Sequence, residues 1–293
     1  MAGRFDGDQL RAWEDSLRER GGAYWDRPPL GLLTETVAVF SEAQDVLEMP
    51  MAEALGLRVR RVLARSAGLV GMIFADGGRS EQAYGWLRQA AGFAVQAGDR
   101  EVACWAHGVT AHVAFSADEH RRLLWEAATA KRLAPSTASV GVAYAEAATA
   151  MVYAARGGRE HALASLDRCA EAYVGLERSQ TTLSVFGYPE PLYQYHRGYV
   201  LTRTHQPALA RTALARVLNT CPVTALVPRI AARLELIRCH LDEGHPAAAC
   251  WQVAGVLAEY TGGSGLGSAR SRLVNRLFSP FLVQGPEGVV DHG

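Results

Sequence analysis

The chain has 293 residues, 49% of them hydrophobic, and its 30 basic and 30 acidic side chains cancel. That composition supports a sizeable buried core and excludes intrinsic disorder, and a pI near 7.1 excludes the strong basic field of a stand-alone nucleic-acid binder. No apolar run approaches the ~18 residues of a membrane span, and the charged start MAGRFDGDQLRAWEDSLRERGG has no apolar signal core. A cytoplasmic protein with no membrane and no direct nucleic-acid contact is expected.

Two helices come first: Asp8 to Arg20, stopped by Gly21-Gly22, and Leu30 to Leu47, opened by Pro28-Pro29 and closed before Pro50. From Met51 onward apolar residues recur at three- and four-residue spacing, with no period-two stretch that reads as a strand. Short breaks punctuate this pattern at FADGGRSEQA, FSADEHRRLL, AARGGREHAL, LTRTHQPALA and LDEGHPAAAC, spaced roughly 40 residues apart as a helical-hairpin repeat would be. One interval is longer, and it holds an insert that ends in SVFGYPEPLYQYHRGYV, Ser184 to Val200, with five aromatic residues, two prolines and a histidine.

Small residues recur where two helices must close. Val70, Gly71, Phe74, Ala83, Leu87 and Ala90 have the spacing of a tetratricopeptide repeat (TPR), as do Ala150, Tyr153, Ala162, Leu166, Cys169 and Gly198, Leu201, Ala210, Leu214, Val217. A degenerate version runs through Gly108, Ala111, Leu124 and Ala127 with His120 in the small position, and a looser one through Ile237, Ala249, Val253 and Val256. The expected fold is therefore all-α: an α-solenoid of about five TPR-like helical hairpins with extra N- and C-terminal helices. Residues 1–50 form the N-terminal capping helices and 51–260 the repeat array, with its insert near 177–190. Residues 261–293 form a joint, a last helix near Ala269 to Phe278 and a disordered tail.

Motifs for chemistry are sparse. GGSGLG lacks the second glycine of a nucleophile elbow after Ser264, and neither a Walker A sequence nor HExxH occurs. Cys239, His240, His245 and Cys250 in CHLDEGHPAAAC are spread too widely for a structural zinc site, and five widely spaced cysteines read as reduced core thiols. Arg58, Arg61 and Arg65 share one helix face beside Arg60 and read as a solvated stripe. No catalytic residue, metal or cofactor is expected.

Three pieces of sequence carry a family resemblance: RAWEDSLRERGGAYWDRPPLGLL, GDREVACWAHG and SVFGYPEPLYQYHRGYVLT. Together they resemble the C-terminal TPR regions of XRE-type helix-turn-helix regulators of GC-rich bacteria, across most of the chain from about Gln9 to Arg276. The resemblance implies a module that senses a ligand, binds a protein or peptide, and dimerises. It departs from that family in having no recognition helix upstream of Arg11.

The reading that follows is a non-enzymatic regulatory or sensor protein linked to transcription. It would bind a peptide, protein or small molecule in a concave groove lined by Trp105, His112, Tyr144 and Tyr153 and edged by Phe186, Tyr188, Tyr195 and His196. A homodimer is the expected assembly. The rival reading is an enzyme of a secondary-metabolite pathway on the same scaffold, using His with Glu or Arg for acid–base work. The aromatic insert either lines the groove or seals it.

Overall fold

A computed structural model describes residues 7–27 and 29–262. Among them are twelve α-helices and no strand. Two helices, α1 (Gly7–Ala23) and α2 (Pro29–Leu47), precede five helix pairs. The pairs are α3 (Glu53–Asp76) with α4 (Ser80–Gln96), α5 (Arg100–Ser116) with α6 (His120–Leu133), and α7 (Val140–Ala155) with α8 (Arg159–Val174). They continue with α9 (Glu190–Arg203) and α10 (Pro207–Thr220), then α11 (Leu226–Asp242) and α12 (Pro246–Gly262). The proposed joint, last helix and tail from 263 onward lie outside the described residues.

The five breaks read from the sequence are the five hairpin turns, and all five share one construction. The middle residue of each three-residue turn is left-handed: Gly78, Asp118, Gly157, His205 and Gly244, with φ of 69, 61, 76, 57 and 73°. The next amide then donates back to a carbonyl five residues earlier. Arg79 bonds Phe74 and Glu119 bonds Ala114, both at 2.9 Å, while Gly158 bonds Tyr153 at 2.8 Å, Gln206 bonds Leu201 at 2.9 Å and His245 bonds His240 at 2.7 Å. This is the helix-ending motif that a left-handed residue permits, and Asp and His are among the side chains that tolerate it.

Within the hairpins, small residues sit opposite large ones as expected. A Cβ on Gly71 would lie 2.8 Å from Leu87 Cγ, and one on Gly198 would lie 2.5 Å from Leu214 Cδ2. The second hairpin differs from its sequence reading. Leu123 and Ala127 are the buried pair in α6, whereas Leu124 is 43% exposed and His120 sits at the helix start. The reason is that Gly108 does not serve its own hairpin. It faces Gly141 of α7, whose carbonyl oxygen a Cβ on Gly108 would meet at 2.3 Å.

The first helices of the pairs, α3, α5, α7, α9 and α11, pack in a row. At its centre α7 is apolar nearly all round, as a helix enclosed on several sides must be. Its one charged residue, Glu146, is buried and held by Lys131 of α6 and Arg168 of α8, each at 3.1 Å. Lys131 is the sole lysine of the chain.

The N-terminal helix corrects a second expectation. It does not stop at Gly21-Gly22 but runs through both to Ala23. Gly21 is small because Phe186 of the insert lies on it, where any Cβ would be 2.9 Å from two ring carbons. No helix among the described residues is long and apolar enough to cross a membrane.

Candidate functional site

The long connection between α8 and α9 folds inward. Val185 N–H donates to Gly21 O at 2.9 Å and Tyr188 N–H to Gln180 O at 2.8 Å. The latter bond closes a compact loop around Gly187, where a Cβ would meet the Gln180 and Thr182 carbonyls at 2.8 Å. Pro189 caps α9 rather than opening it, and Pro191 takes a first-turn position, where a missing N–H costs nothing. The insert thereby drives Tyr188, fully buried, into the space between α7, α8 and α9.

Four of the eight nominated residues meet there. Tyr188 Oη and His196 Nδ1 share a hydrogen bond of 2.6 Å, and Cys169 Sγ lies 3.5 Å from the same hydroxyl. Tyr144 of α7 stands edge-on to Tyr188 with ring centres 5.0 Å apart. His112 of α5 lies 4.9 Å from the His196 ring and 6.1 Å from Tyr144. One polar–aromatic cluster is thus assembled from α5, α7, α9 and the insert.

Tyr195 borders the cluster, 5.6 Å from the His196 ring, and the other three go elsewhere. Trp105 is buried against α3, where a Cβ on Gly68 would be 2.4 Å from its ring, and it touches Phe186 at 5.2 Å. Arg65 covers the Phe186 ring at 5.9 Å. Tyr195 faces Tyr199 at 6.5 Å, and burial, followed by the Glu235 charge, pushes its phenol up. Tyr153 lies apart, beside His161 at 5.1 Å, in a cavity of about 250 Å³ between α6, α7 and α8.

The central cluster is interior, so Tyr188 and His196, both at 0% exposure, line no open groove. Polar atoms are nevertheless stranded in it. His196 Nε2 and His112 Nδ1 are buried with no hydrogen-bond partner. Whichever ring nitrogen of the neutral His196 carries the proton, Nε2 is left unpaired, as a donor or as an acceptor. Burial holds both imidazoles neutral: it brings His112 down to about 4, and burial plus the neighbouring His112 takes His196 well below its ordinary value. Burial also raises the Tyr188 and Tyr144 phenols, with Asp76 adding to the effect on Tyr144.

These shifts fix a pH dependence. Both folded-state values lie below 6.5, so as pH falls through 6.5 the unfolded chain takes up protons that the folded chain refuses. Stability is complete above pH 6.5 and drains away toward pH 4. By pH 5 His112 alone accounts for a loss of about 2 kcal/mol. Urea unfolding at pH 7.5 and 5 measures this, and His112→Asn is expected to flatten the decline.

Sequence reasoning missed Tyr24, Trp25 and Asp76. Tyr24 Oη donates to Asp76 Oδ2 at the end of α3. The available signal was an aromatic pair, YWD, between Gly-Gly and Pro-Pro, a place where turns usually carry small polar residues. It also missed a cavity of about 390 Å³ between α4, α5 and α6, where Arg122 stacks 3.9 Å over Tyr84, His107 pairs with Glu126 at 2.6 Å, and Trp125 stands exposed.

The arginine stripe is engaged by the protein itself. Arg58 grips Glu14 at 2.7 and 3.1 Å and Arg61 lies 3.9 Å from Asp99. Of the four residues weighed and set aside as a zinc site, His240 and His245 gather with Glu243 within 4.8 Å, but Glu243 is paired to Arg211. Cys239 is buried beside Thr202 and Cys250 is exposed on α12. No protein-family model, curated protein or solved structure matches this chain.

Proposed function

We propose that the chain is a non-enzymatic regulatory module, a TPR-like α-solenoid whose concave face, built by the row of first helices, senses a peptide, protein or small-molecule ligand and passes the signal to the transcription machinery. The solenoid reading is supported by five turns of one construction, repeated small-against-large packing, and first helices that touch one another in order. Residue by residue, the link to transcription rests on the family resemblance of the N-terminal, α5 and insert sequences.

The observation that carries the sensing role is the stranded polarity of the central cluster. Two imidazole nitrogens sit without partners among Tyr144, Tyr188 and His196. Each unmade bond in the interior costs about 1–3 kcal/mol, so an arrangement of α5 and α9 that pairs these nitrogens lies close in energy, and a ligand on the concave face can select it. Ligand binding would reset the spacing of α5 against α9, and through it the angle between neighbouring hairpins. Partly exposed Val253 and Leu257, one turn apart on α12, offer an apolar patch for a homodimer.

A thermal-shift screen of peptides and small metabolites tests this reading. The expected result is at least one compound that raises the melting temperature of the wild type by several degrees and that of His112→Ala by much less. A screen with no hit, or hits that shift both proteins equally, removes the reading.

A further inference from the structure

The segment joining α1 to α2 does not skirt the row of first helices. It crosses it. Its approach is clamped at Gly21, whose carbonyl accepts the Val185 N–H at 2.9 Å beneath the Phe186 ring. Tyr24 then packs with Leu69 and Ile73 of α3 and donates its hydroxyl to Asp76. Trp25 packs on that same cluster on one side and, on the other, on a core cluster supplied by α7, α9, α10 and α11. Asp26 accepts the Thr224 hydroxyl just ahead of α11, and Arg27 turns back onto Glu35 at 2.7 Å.

Three consecutive side chains therefore engage the first pair and the last, as an extended peptide laid across a helical array would. The fit is incomplete. Trp25 Nε1 is buried with no hydrogen-bond partner, as are His196 Nε2 and His112 Nδ1. The indole N–H is a hydrogen bond that the resident segment leaves unmade and that a competing peptide could make.

We propose that the row of first helices is a peptide-binding site whose resident occupant is the chain's own Tyr24-Trp25-Asp26, and that the partner it takes is an extended peptide carrying two aromatic residues followed by a carboxylate. The proposal rests on the ligand-sensing reading above and adds the chemistry of the ligand. Asp76 receives a phenol or other donor, the space between α3 and the core cluster of the later pairs receives a large flat ring, and Thr224 meets the carboxylate. The tether gives the resident segment a high effective concentration, so the site is silent until a peptide with a better set of hydrogen bonds displaces it.

The test is fluorescence anisotropy with a labelled peptide of sequence GGAYWDRPPL, titrated with the full chain in three forms. Trp25→Ala, which weakens the resident segment, is expected to bind the peptide at least tenfold more tightly than wild type. A peptide with its Tyr, Trp and Asp replaced by Ala is expected to bind neither form. Equal affinity of wild type and a folded Trp25→Ala chain, or equal binding of the altered peptide, overturns the proposal. Should Trp25→Ala lose its helical circular dichroism, the double variant Tyr24→Phe, Asp26→Ala removes only two hydrogen bonds. It is expected to bind the peptide at least threefold more tightly than wild type, and no gain overturns the proposal. A compound from the thermal-shift screen that still depends on His112 while the peptide binds no form leaves the sensing reading standing and removes this one alone.

Discussion

Tyr188→Ala is expected to lower stability by about 4 kcal/mol, the range of large-to-small substitutions of buried aromatics. The ring is fully enclosed and in edge or tilted contact with Tyr144, Tyr173 and His196, so its removal opens a hole that three helices border. Tyr188→Phe separates the two contributions. It keeps the packing but leaves His196 Nδ1 as unpartnered as Nε2 already is, and a loss of about 1–3 kcal/mol is expected. Urea denaturation monitored by circular dichroism measures both. If Tyr188→Ala costs under about 1 kcal/mol, the insert is not the seal described here.

The second large effect lies where α5 and α7 touch backbone to backbone. A Cβ at Gly141 would stand 2.3 Å from the Cys104 carbonyl carbon and oxygen, and no rotamer change can relieve a collision with a helix backbone. Gly141→Ala is expected to cost about 3 kcal/mol, at the upper end of overpacking penalties, because the two helices must separate. Gly85→Ala on α4 is the control, since nothing lies within 4 Å of its Cβ position. There the same substitution is expected to stabilise by about 0.5–1 kcal/mol through helix propensity. Opposite signs for one chemical change would place the effect in the contact between α5 and α7. Like signs would exclude that contact as its source.

The all-helical architecture was legible because punctuation and period are local properties. A left-handed turn residue and the three-four spacing of apolar positions write themselves into any short window, and all five turns fell where the sequence placed them. The slip in the second hairpin arose from a glycine with two possible uses. Gly108 has the spacing of an intrahairpin contact, but Gly141, thirty-odd residues on, claims it, and nothing within one hairpin reveals that. Gly21 misled in the same way, reading as a helix stop when its role is to admit Phe186.

The candidate site was half legible. Aromatic and imidazole residues on first helices and in the insert were nominated, and His112, Tyr144, Tyr188 and His196 do converge. Trp105 and Phe186 pair with each other instead, because Gly68 leaves a slot for the indole. Tyr153 sits where α7 turns toward α8, too far along its helix to reach the cluster. Tyr24 and Trp25 were invisible as partners of hairpins far along the chain, since only the folded path of α1 brings them there.

The bond between Gly21 and Val185, together with that between Asp26 and Thr224, bears on how the array unfolds. A row of hairpins that touch only their neighbours can zip from any point and fray from either end. Here the segment between α1 and α2 has partners in the first pair, in the insert and just ahead of the fifth pair. Once docked it ties the first pair to the last. The five hairpins are therefore expected to unfold in one step rather than fray one pair at a time.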